Sequence, residues 1–284
     1  MSAGAQLLEA PLDELDVQSR EPLTLKPVVD MHLVIYGDFT CPWSYLASRR
    51  AAVLAANGVT VDWRAVEHDP RRPSRTGDGS LRLRCLREEM DRVLALLLPG
   101  EELPYALAGF VPYTKAAVSG YAEAYAAGVG AQVQRLLFEA FWMHSFDLDS
   151  PEAVRTLLVD DVRSGTADSD LVREWGHAVD LTGGPLTTTA WRLIRQWGAE
   201  WHSTGKETVP VLVVDGGAPR FGVDAVEWLG VELARRGAAV DEVPPRHELP
   251  ARSHHDIASY SWASQHGGRW LRDYQQAHGR PRFN

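Results

Sequence analysis

His32–Leu46 reads HLVIYGDFTCPWSYL, and its pattern changes twice within those residues. His32–Tyr36 is a short run rich in β-formers, and Gly37-Asp38-Phe39-Thr40 punctuates it. Pro42 then opens a segment with apolar positions at Trp43, Leu46, Ala47, Val53 and Leu54, closed by Asn57-Gly58. Proline in the first turn and glycine just past the end are the marks of a helix. Val59–Val66 (VTVDWRAV) alternates with period two and reads as a second strand. Strand, helix and strand within about 35 residues make a βαβ unit.

Working outward, Asp69–Ser80 (DPRRPSRTGDGS) reads as a loop. Helical periodicity then dominates, with helices expected at Arg82–Leu98, Thr114–Ala127, Gln132–Ser145, Pro151–Ser164, Asp168–Val179 and Leu186–Trp201. Val209–Val214 (VPVLVV) reads as a buried strand, Gly216–Pro219 as a turn and Arg220–Gly222 as the start of a partner strand. A helix over Val223–Arg236 follows. The expected fold class is α/β, with one mixed four-stranded sheet interrupted by an all-helical insertion. That divides the chain into a 1–30 extension, a sheet core from 31–80 and 205–237, an inserted helical subdomain at 81–204, and a 238–284 extension. An amphipathic helix is expected around Ile257–Gln276 of that last extension.

Bulk composition narrows the function classes. The chain has 284 residues, 45% hydrophobic and 24% charged, and matches an ordinary globular protein. Formal net charge is −9, which argues against a polyanion-binding surface, so no nucleic-acid partner is expected. The longest apolar run, near Val93–Pro99, is far shorter than the ~18–20 residues of a membrane span, and no membrane partner is expected. Residues 1–30 carry six acidic and two basic side chains, unlike a secretory signal. Two cysteines exclude a disulfide-built scaffold and a four-cysteine zinc site, which points to a cytoplasmic setting. Five of the ten histidines lie beyond residue 238, none paired at helical i, i+4 spacing, and no metal site is expected.

Cys41 falls at the junction between the first strand and its helix. Unsatisfied N–H groups and the positive dipole end there favour an anion. An ordinary thiol of pKa ~8.5 is only about 3% thiolate at pH 7, and lowering that pKa by two units takes about 2.7 kcal/mol. A helix terminus plus two or three hydrogen bonds to sulfur can supply it. Cys41 is therefore expected to be partly exposed, with its sulfur near the N–H groups of Trp43 and Ser44. Ser44, three residues on, can turn its hydroxyl toward the sulfur or toward a bound thiol. A small buried hydrophobe is the other reading of Cys41, and position alone leaves both open. Thr208-Val209-Pro210 enters the third strand, and X–Pro is the one place where a cis bond is cheap.

Tyr36–Leu46, Ala122–Asp149, Thr208–Asp215 and Phe221–Trp228, in this order of elements, resemble the thioredoxin fold in its DsbA-like branch. Within that branch the chain is similar to the subgroup of FrnE-type oxidoreductases, 2-hydroxychromene-2-carboxylate isomerases and kappa-class glutathione transferases. The resemblance spans about Met31–Gly237. It implies a thioredoxin-like core with an inserted helical subdomain, Cys41 as the attacking cysteine, and Pro210 as the cis-proline. Ser44 then stands where the oxidoreductases carry their resolving cysteine. In the isomerases and kappa transferases a serine stands at the position of Cys41, so this chain is a hybrid.

A mixed disulfide needs a second thiolate to resolve it, and Ser44 cannot serve. Cys41 thus reads as a monothiol centre, resolved by a small-molecule thiol such as glutathione or mycothiol, with no tightly bound cofactor. Cys85, among Arg82, Arg84 and Arg87, reads as a helix-surface or packed cysteine, or as the one other candidate thiol. Pro42, Trp43, Val209 and Pro210 are expected to frame the substrate cleft. Arg71 and Arg72, with Arg75, are a candidate clamp for a carboxylate or phosphate. Phe138, Phe141, Trp142 and Phe146 are expected to pack the insertion or to wall the cleft, and His32 and His144 to be core or surface histidines. The expected activity is thiol–disulfide exchange by a single cysteine on a small-molecule or thiol substrate, in a homodimer. A thiol-dependent isomerase or thiol transferase is the rival enzyme. A peptide-binding module using the exposed sheet edge is the rival outside catalysis.

Overall fold

A computed structural model describes residues 31–68, 78–106 and 109–238. The expectations for residues 1–30, for the extension beyond residue 238 with its Ile257–Gln276 helix, and for Arg71, Arg72 and Arg75 lie outside the described residues.

β1 (His32–Gly37) and β2 (Thr60–Ala65) pair in parallel, from His32 opposite Thr60 to Gly37 opposite Ala65. Two parallel neighbours need a crossover, and α1 (Pro42–Ala56) supplies it. β3 (Val211–Val214) runs antiparallel to β1, and β4 (Arg220–Phe221) antiparallel to β3, giving the order β2-β1-β3-β4. Between β2 and β3 come α2 (Asp78–Leu94), α3 (Lys115–Ala126), α4 (Gly130–His144), α5 (Pro151–Ser164), α6 (Asp170–Arg173) and α7 (Thr188–Ser203). α8 (Val223–Arg236) closes the described fold and packs on α1.

Most expected elements differ from these only at their ends. α6 is the exception. A helix over Asp168–Val179 is expected from the sequence, and only Asp170–Arg173 forms. Gly176 takes a φ of 65°, and a Cβ there would meet the Val159 carbonyl oxygen on α5 at 2.9 Å. The chain turns to lie against α5, and this close approach stops the helix.

The aromatic residues of α4 bind the insertion to the sheet core and do not wall the cleft, one of the two roles the sequence allows them. Phe138, Phe141 and Trp142, and Phe146 just past the end of α4, are all buried. Trp142 stacks on Tyr45 of α1 at 5.3 Å between ring centres, and its Nε1–H donates to the Phe39 carbonyl at 3.0 Å. The insertion and the turn that carries Cys41 therefore form one packed unit.

Gly37 is required for space. A Cβ there would lie 2.2 Å from the Trp63 ring and 3.2 Å from Ser44 Oγ. Gly37→Ala should therefore lower stability by about 1–3 kcal/mol through overpacking, read as a reduced urea midpoint. An unchanged midpoint would mean that the Trp63 ring moves freely.

Candidate active site

Cys41 is the N-cap residue of α1 and Pro42 its first helical residue, so the sulfur sits where the sequence placed it along the chain. Its environment differs from the one expected. Cys41 is buried, 7% exposed, rather than partly exposed. Burial pushes its thiol up to about 12, the reverse of the expected depression. The Ser44 N–H and hydroxyl pull the other way by hydrogen bonding to sulfur, while the charges of Glu89 and Asp38 push further up. Desolvation wins because the sulfur is buried, where an uncompensated thiolate costs more than two hydrogen bonds return. The Cys41 thiol is neutral, and it donates to the Val209 carbonyl at 3.5 Å.

Across the sulfur stands the loop before β3, where the Val209–Pro210 peptide bond is cis. β1 and β3 are neighbours, so the turn that leaves β1 and the turn that enters β3 meet at one end of the sheet. Between them opens a cleft of about 510 Å³, the size of a small-molecule site. Cys41, Pro42, Trp43 and Val209 line it, whereas Ser44 and Pro210 are buried and do not. Ser44 Oγ accepts from the Asp38 N–H at 3.3 Å, which fixes the serine under the sulfur.

Sequence reasoning missed the group that organises this end of the sheet. Asp38, within the Gly37–Thr40 punctuation, is 2% exposed and hydrogen-bonded through main chain and side chain alike. Its carbonyl accepts from the Cys41 N–H at 3.2 Å. Its carboxylate accepts from the Thr40 N–H and hydroxyl at 2.9 Å each, from the His68 N–H at 2.9 Å, and from the Thr114 hydroxyl at 3.1 Å. Burial works to raise its pKa, but these bonds and the nearby His68 hold the carboxyl below its ordinary range. The signal was present: a parallel β1–β2 pair brings the ends of both strands together, so residues just past Gly37 and Ala65 must meet.

α2 forms the opposite wall, and its Cys85 lines the same cleft as Cys41. Cys85 is exposed, and both cysteines are free thiols. Arg82, Glu89 and Arg92 of α2 also face this space. Among the described residues no cluster of metal-ligating side chains occurs, and no helix is long and apolar enough to cross a membrane.

Residues 32–161 match the family model described as a DSBA-like thioredoxin domain. No curated protein matches the chain. Among solved structures, the cytosolic disulfide reductase DsbM from Pseudomonas aeruginosa with GSH is similar at 16% identity and a TM-score of 0.50, covering 72% of this chain and 96% of that one. A 2-hydroxychromene-2-carboxylate isomerase is similar at 19% identity and a TM-score of 0.49, over 72% of this chain and 95% of that one. A probable DsbA oxidoreductase from Streptomyces coelicolor is similar at 19% identity and a TM-score of 0.48, over 78% and 95%.

Proposed function

We propose that this chain, which carries a DsbA-like thioredoxin domain in a thioredoxin-like DsbA fold, is a monothiol exchange enzyme with Cys41 as its nucleophile. The observation that carries the reading is the Cys41 thiol donating to the Val209 carbonyl at the wall of a small-molecule cleft, with Ser44, not a second thiol, on the same helical turn, and Cys85 on the facing α2. Cys41 gives up its proton and attacks one sulfur of a disulfide, the S–S bond breaks, a mixed disulfide forms on Cys41, and the other sulfur leaves and is protonated to a thiol. A small-molecule thiol such as glutathione or mycothiol then attacks and frees Cys41. The cleft admits a ligand of that size, and the Pseudomonas aeruginosa reductase was solved with GSH. A cytoplasmic setting, where such thiols are abundant, fits a chain with two free cysteines.

The raised thiol of Cys41 favours a second reading. A bound small-molecule thiol supplies the sulfur, adds to an activated double bond, permits rotation and leaves, while the Val209 main chain holds it; Ser44, buried behind Cys41, does not reach the cleft. Insulin reduction with dithiothreitol, with and without glutathione, separates the two. Cys41-dependent reduction supports exchange, whereas isomerase activity that needs glutathione and survives Cys41→Ser supports the second.

Ser44→Cys tests the monothiol reading. Ser44 lies three residues after the N-cap Cys41 and hydrogen-bonds to its sulfur, so the variant should form an internal disulfide under mild oxidation. Insulin reduction should rise severalfold, because the mixed disulfide is resolved internally. Failure to form that disulfide would mean that position 44 does not face the sulfur.

A further inference from the structure

Carboxylates and guanidinium groups share the Cys41 cleft, but the charges that press on the sulfur are those of the carboxylates Glu89 and Asp38. Both oppose its ionisation. α2 presents Arg82, Cys85, Glu89 and Arg92 to the cleft, and steps of three, four and three residues put them on one face of the helix.

The two carboxylates differ in what they are bound to. Asp38 is 2% exposed and is held by hydrogen bonds from Thr40, His68 and Thr114. Glu89 is half-buried, and among the described residues it accepts no hydrogen bond. Burial raises its pKa, and the nearby Arg92 and His68 only partly offset that effect. Arg92 lies about one helical turn beyond Glu89, and Arg82 lies about 10 Å before it along the axis. Arg82 has a partner of its own. A half-buried carboxylate that accepts no hydrogen bond is stabilised by meeting a cation that donates one.

Resting on the exchange reading, we propose that the cleft selects small disulfides carrying a cationic group beside the sulfur, and that Glu89 receives that group. An ammonium seated on Glu89 cancels a charge that opposes the thiolate, so the substrate itself eases ionisation of Cys41. An anionic disulfide adds to the opposition and is disfavoured. The Cys41 proton passes to solvent, the thiolate attacks the near sulfur, and the S–S bond breaks. The far sulfur leaves as a thiolate and takes a proton from solvent, giving one mixed disulfide and one free thiol.

The test compares two methanethiosulfonate reagents, one transferring a trimethylammonioethyl thiol and the other a sulfonatoethyl thiol, which differ in charge and share a leaving group. Mixed-disulfide formation is followed on the Cys41 peptide by mass spectrometry, so that Cys85 does not interfere. Each rate is divided by that of the same reagent with free cysteine, which removes intrinsic reactivity. In the wild type at low salt the cationic reagent should lead by about tenfold, and added salt should shrink the lead. Glu89→Gln should remove most of that preference, Glu89→Asp should keep it, and Glu89→Lys should invert it in favour of the anionic reagent. A residue with a merely structural role would not reverse the sign. All three substitutions fall on a half-buried helical position and introduce no glycine or proline, so the fold should be retained. A wild-type ratio near one overturns the proposal, and so does a preference that Glu89→Lys leaves unchanged. The exchange reading fails separately, by Cys41→Ser retaining insulin reduction, while absence of any mixed disulfide on Cys41 ends both.

Discussion

Cys41→Ser should abolish insulin reduction, lowering its rate by at least about a thousandfold while the fold is retained. Removing the nucleophile of a covalent mechanism costs on the order of a millionfold in well-studied cases, and no alternative thiol occupies this position. Serine is smaller by little and, like the thiol, can donate to the Val209 carbonyl, so the cleft should keep its shape. Activity therefore reports on chemistry rather than packing. Cys85→Ala should retain the larger part of the activity, although Cys85 lines the same cleft. Equal losses from the two substitutions would make Cys85 the resolving thiol and end the monothiol reading. More than a tenth of wild-type reduction remaining in Cys41→Ser would end the exchange reading altogether.

Glu101→Ala should be the most damaging single change to stability, at about 3–5 kcal/mol, because it leaves a buried guanidinium without its counter-ion. Arg50 on α1 is 1% exposed. Its Nε and Nη2 donate to the two Glu101 carboxylate oxygens at 2.9 and 2.6 Å. Nη1 donates to the Val226 carbonyl on α8 at 2.8 Å, and Nη2 also to the Leu96 carbonyl at 2.7 Å. One side chain thus ties α1 to α8 and to the segment after α2. Gly230 makes room for it, since a Cβ there would lie 2.9 Å from the guanidinium. The urea midpoint of Glu101→Ala should fall steeply, whereas Arg50→Met combined with Glu101→Leu should recover most of the loss, because no charge is then stranded. A shift below about 1 kcal/mol in the single variant would show that water reaches the guanidinium.

Much of this protein was determined by the sequence acting locally. Strand, helix and strand around His32–Val66, the Pro42 helix start and the β3–β4–α8 order follow from periodicity and from the residues that begin and end elements, and these act within a few residues. The same local signals located Cys41 at a helix N-terminus. They failed at α6, where Gly176 turns because α5 lies against it, a contact with a segment distant in the chain. They failed again on the state of the thiol. Helix position favours a thiolate, but burial beneath the Val209 loop and the insertion outweighs it, and burial is a property of the assembled fold. Asp38 and His68 follow the two strands of the βαβ unit, so their meeting follows from the parallel pairing, whereas nothing in the spacing announces Thr114 beside them. Only the pairing of β1 with β2 and the packing of α3 over that end of the sheet bring them together, since hydrogen bonds between distant residues require the tertiary structure that places their partners.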